Sequence, residues 1–162
     1  MFGVRINRDV KITLHSFTDY FIGFDKVEAV REIFGDQTEK VLKNLKVEFH
    51  SRRGYMGVSD EDGHMLVSAP YLHKGNERDL YLDIVHELVH VKQFFEGREL
   101  FENRWEYVDR PTEIEAYSHA VKEARRLGMT DKEIYEYLKT EWISEEDLHK
   151  LAEVVGVKAV TQ

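Results

Sequence analysis

Cysteine is absent from the 162 residues, which excludes disulfide staples, thiolate metal sites and thiol nucleophiles. Proline is nearly as scarce, with only Pro70 and Pro111. There is also no Gly/Ser/Pro-rich tract and no internal repeat, so nothing divides the chain, and one domain over residues 1–162 is expected. No apolar run approaches the roughly 18 residues of a membrane-crossing helix. Residues 1–5 lack the apolar core of a signal peptide, which makes a cytoplasmic protein the expectation. Positive charge is in deficit, with 23 Lys and Arg against 31 Asp and Glu, a formal net charge of -8. A chain of that sign is not drawn to nucleic acid or to an anionic membrane surface, so neither is expected as a partner. What remains is 42% hydrophobic and 33% charged, the balance of a chain that folds around a core. Nothing in it sets an oligomeric state.

Residues 4–15 alternate well enough for two short strands turning at Asn7-Arg8-Asp9. Asp25-Lys26-Val27-Glu28 resembles a capping box for a helix ending at Gly35, and Asp36 is placed to cap a second short helix to about Asn44. Alternation returns at Leu45, Val47 and Phe49. Strands are expected there, near residues 55–59, and over residues 64–69 after the turn Asp60-Glu61-Asp62-Gly63, forming a small antiparallel meander. Pro70 suits a strand end or edge. Four helices should follow: residues 79–96, one opening at Pro111, one boxed by Thr130 and Glu133, and one capped by Ser144 and ending at Gly156.

The helix over residues 79–96 carries the chemistry. Tyr81, Ile84, Leu88, Val91 and Phe95 recur three and four apart and make a core stripe. His86-Glu87-Leu88-Val89-His90 lies largely off it. Two histidines four residues apart project from one helix face, one turn above the other, and supply half of a tetrahedral zinc site. Glu87, directly after the first histidine, reaches a water on such a metal and can act as its general base. A catalytic zinc takes a third protein ligand. Without cysteine, that ligand comes from His, Asp or Glu, and the next helix begins Pro111-Thr112-Glu113-Ile114-Glu115-Ala116.

HExxH followed by a glutamate on a separate downstream helix resembles the gluzincin metallopeptidases, over roughly residues 64–127. The resemblance implies an α+β, zincin-like fold with a small antiparallel sheet packed on the active-site helix, a glutamate helix and a helical C-terminal part. It implies one zinc ion, a peptide or protein substrate, and hydrolysis with Glu87 activating the zinc-bound water. The register Glu113-Ile114-Glu115-Ala116 is similar to patterns whose first glutamate binds the metal, which nominates Glu113. A shorter pattern nominates Glu115, whose alternative use is a capping box with Thr112. Both registers lack the acidic or amide residue that such patterns carry four places on. The chain is also similar in scale to the archaeal minigluzincins, a resemblance that implies a tail from about Glu141 able to fill the cleft and keep the isolated protein latent.

Around that core, Tyr107, Tyr117, His64 and His119 are the candidates for an oxyanion donor, each with a core or surface role as the alternative. Gln93 faces either the same cleft or solvent. His15, His50, His73 and His149 belong to no pattern. The strand over residues 64–69 is either an edge strand able to pair with an extended substrate or an internal one. Residues 130–162 hold four lysines and eight acids, the wrong sign for a DNA-binding helix pair. The second functional reading, from a different class, is a zincin-like binding or regulatory module whose zinc is structural or occluded.

Overall fold

The computed structural model describes residues 3–159. Met1, Phe2 and the last three residues of the tail lie outside the described residues. In chain order the elements are β1 (Arg5–Ile6), β2 (Leu14–Ser16), α1 (Phe17–Tyr20), β3 (Phe21–Ile22), α2 (Glu28–Phe34), α3 (Thr38–Asn44), β4 (Lys46–His50), β5 (Met56–Val58), β6 (Met65–Ser68), α4 (Ala69–Lys74), α5 (Glu77–Phe95), α6 (Pro111–Arg126), α7 (Asp131–Leu138) and α8 (Glu145–Val154). The class is α+β, with helices outweighing two small sheets.

The expected antiparallel meander is corrected to a mixed sheet of order β2-β4-β6-β5. β4 and β6 pair in parallel, Val47 opposite Met65 and Phe49 opposite Val67, while β5 pairs antiparallel with β6. After β4 the chain passes beyond the neighbouring position to form β5 at the edge. It then returns through Asp60–Gly63 to place β6 between the two. Gly63 makes that return at φ +79, where an added Cβ would meet the ring of Phe94. Buried Val47, Phe49, Met65 and Val67 therefore share one core face. The strand after the turn is internal, and the edges of this sheet are β2 and β5.

Further expectations change. β1 pairs with β3, and β2 with β4, so the two N-terminal strands do not form a hairpin with each other. Val27, not Asp25, precedes α2 as its N-cap, and Gln37, not Asp36, precedes α3, neither with a side-chain cap. Pro70 sits in the first turn of α4, which Ser68 caps by accepting from the N–H of Tyr71. That position tolerates proline because its N–H would have no helical partner.

α5 is the axis of the molecule and packs against α2, α6 and β5. Asn76 caps it, accepting from the Asp79 N–H at 3.1 Å. At its far end Gly97 (φ +78) lets the N–H of Arg98 reach the carbonyl of Gln93 at 3.0 Å and its own N–H reach Phe94 at 2.9 Å, a Schellman closure. Tyr81, Ile84, Leu88 and Val91 are buried as the stripe requires, but Phe95 is 62% exposed. His86, Glu87 and His90 are buried too, so α5 is enclosed on nearly every side. Ile84→Ala should accordingly lower unfolding free energy by about 2–5 kcal/mol, read by chemical denaturation.

Candidate metal centre

α5 and α6 lie against each other, and their contact brings His86, His90 and Glu113 together. The Nε2 atoms of His86 and His90 donate to one oxygen of Glu113, at 3.0 and 3.2 Å. One ligating atom from each residue lies within 4.8 Å of the other two, and all three side chains are buried. A tetrahedral ion with bonds of about 2.0 to 2.2 Å holds its donors roughly 3.3 to 3.6 Å apart. The cluster is within a few tenths of an ångström of that spacing along two edges. Two imidazole nitrogens and one carboxylate oxygen are also the donor set zinc accepts. The residues present fit the ion.

Gln93 is fully buried and completes the support of the second histidine. Its amide nitrogen donates to the carbonyl of Thr112 at 3.0 Å and to Glu115 at 2.7 Å. Both partners only accept, so the amide oxygen must face Nδ1 of His90, 2.7 Å away. His90 Nδ1 therefore carries a hydrogen, and Nε2 is the nitrogen aimed at the cluster. His86 has no such prop, because its buried Nδ1 lacks a hydrogen-bond partner among the described residues.

Glu115 is not in the cluster. It accepts from Gln93 and from Arg98, the latter at 3.0 Å. Nor does it form the capping box considered for it. Arg110 is the N-cap of α6, Thr112 donates its hydroxyl to Leu100 O, and buried Glu102 accepts from the Thr112 N–H.

Charge follows the contacts. Burial opposes the Glu113 anion, but hydrogen bonds from both histidines hold its carboxyl well below the usual carboxylate range. Burial likewise opposes a charged His90, yet Glu113 and Glu87 outweigh it and hold the ring up at about 9. Glu87 is raised by burial, with His86 and His90 pulling the other way. The protein thus keeps cationic imidazole against a carboxylate where a metal cation would replace the protons.

Two cavities meet at the cluster. One, of about 190 Å³, includes His86, Glu87, His90, Glu113, β5 and Arg110 in its wall. The other, of about 260 Å³, runs from His86 and Glu87 past Tyr107 and Tyr117 to Asp83. Trp142 belongs to both walls. It lies edge-on between Tyr55 and Tyr107, with centroids at 5.2 and 6.2 Å. Beyond it, α8 packs on α7 and on the turn Tyr107–Asp109, with Lys150 bonded to Asp109 at 2.8 Å. The tail is thus a packed helical cap, and its connector lies over the cleft.

Among the oxyanion candidates, Tyr107 and Tyr117 stand beside the cluster with their hydroxyls 2.9 Å apart, and the His86 and Tyr117 rings are at 4.3 Å. Burial pushes both phenols up, so they remain protonated donors. His64 is held elsewhere by Asp62 and Glu48, and His119 lines neither cavity.

Sequence reading missed Arg110 and Asp83. Arg110 places its guanidinium over the Tyr107 ring at 5.7 Å, and its only sequence signal is its position before Pro111. Asp83 had a clearer one, four residues from both Asp79 and Glu87 on the same helix. It accepts from the Tyr71 hydroxyl and from the Tyr137 hydroxyl, the latter at 2.7 Å. Burial raises its carboxyl to about 6, against the pull of both tyrosines. The folded state therefore holds a proton that the unfolded chain releases near pH 4. The resulting stabilisation is complete below that pH and is lost as the pH rises through 6. Asp83→Asn should remove this pH dependence. Thermal melts from pH 4 to pH 7.5 should show the variant gaining on the wild type by up to about 3 kcal/mol as the pH rises.

No protein-family profile, no curated protein and no solved structure matches the chain, so the function must be argued from the site itself.

Proposed function

We propose that the chain is a zinc-dependent peptidase, with His86, His90 and Glu113 as the metal ligands and Glu87 as the general base. The observation that supports this most is the convergence of three buried donors from α5 and α6 on one point, with a buried, unligated carboxylate one residue from the first. Zinc, when bound, supplies a Lewis acid that polarises the scissile carbonyl and lowers the pKa of the attacking water.

The remaining roles fall to side chains already in place. Glu87 takes a proton from the attacking water and passes it to the leaving amine, a task suited to a carboxyl raised toward neutrality by burial. Tyr107 and Tyr117 offer phenolic donors for the charge that develops on the carbonyl oxygen. β5, the edge strand on the side of the cluster, has Met56, Gly57 and Val58 in the cavity wall and offers main-chain groups to an extended peptide. Gln93, braced by Glu115 and Thr112, holds His90 at the angle the ligand set needs.

The deciding experiment is metal analysis joined to peptide hydrolysis. The purified chain should hold one zinc, and a chelator should remove hydrolysis that added zinc restores. Substoichiometric zinc after incubation with excess metal would sink the reading. Trp142 favours a second reading, a zincin-like binding module with an occluded site. That module would hold zinc and cleave nothing, with or without Trp142→Ala.

A further inference from the structure

The cavity that leads away from His86 and Glu87 has a polarity of its own. Its acidic groups are Asp79, Asp83 and Glu87, which recur at every fourth position along α5 and so line one face. Asp83 is surrounded closely by protein yet keeps accessible surface, and that surface lies in this cavity. Its two tyrosine donors occupy two of about four acceptor sites on the carboxylate, so acceptor capacity remains. The rings of Tyr55, Tyr107 and Trp142 form walls that favour a cation over a neutral group.

The one lysine or arginine in the lining is Lys139. Its ammonium is engaged by Glu136 at 2.9 Å and lies 5.9 Å from the Tyr135 ring centroid, neither of which lines the cavity. Arg110 lines the other cavity and not this one. The space is therefore lined by carboxylates and aromatic rings, and the one ammonium in its lining is engaged by partners outside it.

Its length selects among cations. Asp83 lies one helical turn from Glu87, roughly 6 Å along the axis. An α-ammonium on the residue that donates the scissile carbonyl stays within two bonds of that carbonyl and falls short of Asp83. The four-carbon stem of a lysine, or the equivalent stem of an arginine, spans the gap.

We propose that this cavity is a specificity pocket for a lysine or arginine side chain beside the scissile bond, with Asp83 as the residue that receives the cation. The proposal rests on the peptidase reading for the scissile bond but not for the pocket, and the test separates the two. The first arm uses n-butylammonium chloride, a lysine side-chain mimic, and 1-butanol, its neutral counterpart. Each is titrated against the full wild-type chain and against Asp83→Asn, followed by tryptophan fluorescence and by amide NMR shifts.

The ammonium should bind at least about tenfold more tightly than the alcohol, with the preference lost in Asp83→Asn. Equal binding of the two probes, or an ammonium preference that survives in a folded Asp83→Asn chain, overturns the pocket. If circular dichroism shows that variant unfolded, the wild-type comparison decides. The second arm measures kcat/KM on zinc-loaded protein with N-acetylated peptides carrying one lysine, arginine, norleucine or glutamate at the varied position. Lysine and arginine should exceed norleucine by at least about tenfold. Cleavage without that preference overturns the pocket and leaves the peptidase reading standing. Ammonium binding that depends on Asp83, with no peptide cleaved, upholds the pocket and removes the peptidase reading.

Discussion

Glu87→Gln should leave one zinc per chain and lower kcat by about 10² to 10⁴-fold, measured on the best peptide substrate with metal content checked in the same sample. Glutamine keeps the shape and the carbonyl oxygen of Glu87 but cannot accept and return a proton. Glu87 makes no hydrogen bond to His86 or His90, whose contacts run to Glu113 and Gln93, so the three-residue cluster loses no support. A second readout sets this variant apart from a damaged one. Burial raises the Glu87 carboxyl, so in the metal-free folded state it binds protons more readily than in the unfolded chain. Stability from that source is present at low pH and lost as the pH rises. Removing the charge should therefore raise the melting temperature of the metal-free protein at neutral pH. Loss of activity with increased stability is the signature of a functional group held at a cost to the fold. An active Glu87→Gln protein, or one that loses zinc, would assign the chemistry elsewhere.

What could be read from the chain beforehand was local. The Thr130–Glu133 capping box is present, with Thr130 N–H donating to Glu133 at 2.9 Å and Glu133 N–H donating to Thr130 at 3.2 Å. Ser144 caps its helix as expected, and Gly63 turns where the Asp60-Glu61-Asp62-Gly63 stretch indicates. Each of these is settled by residues within one turn of one another. Strand order is not settled that way. Alternation in β4 and β6 says which side chains face the core but not which strand lies alongside, and so the parallel β4–β6 pair went unseen. The same limit applied to α4. Ser68-Ala69-Pro70 reads equally as a strand end and as a cap followed by an N-terminal proline.

The site divides along the same line. The i, i+4 spacing of His86 and His90 is helix geometry and could be read directly. The environments of Glu113 and Glu115 depend on what α6 meets across the interface. Glu113 meets the two imidazoles, while Glu115 meets Arg98 and Gln93. Those two partners come from the last turn of α5 and from Arg98, three residues past its end, so telling the two glutamates apart requires the docking of two helices. The role of Gln93 was hidden for the same reason, since its value lies in joining His90 to Thr112 and Glu115 on another helix.

That arrangement makes the two glutamates separable by metal affinity. Glu113→Ala should weaken zinc binding by about 10³-fold or more, since a three-ligand site becomes a two-histidine one and loses its only anionic donor. Glu115→Ala should retain zinc but weaken it by about 10- to 100-fold, the range for losing an outer-shell partner. Without Glu115, one donor of the Gln93 amide loses its acceptor, and the bond at 3.0 Å to Thr112 O is left to hold the amide alone. His90 then gains freedom to turn away from the cluster. Competition with a chromophoric zinc chelator measures both variants on one scale. Gln93→Ala, which removes the same support one step nearer the metal, should fall at or beyond the Glu115→Ala value. Equal losses at Glu113 and Glu115 would mean that the carboxylates exchange roles when zinc enters. A larger loss at Glu115 would transfer the ligand to that residue and require α6 to rotate by about 160° of helical turn, since two residues separate the positions. The Gln93–Thr112 and Glu102–Thr112 bonds pin the first turn of α6 against that rotation, which is the physical ground for expecting Glu113 to dominate.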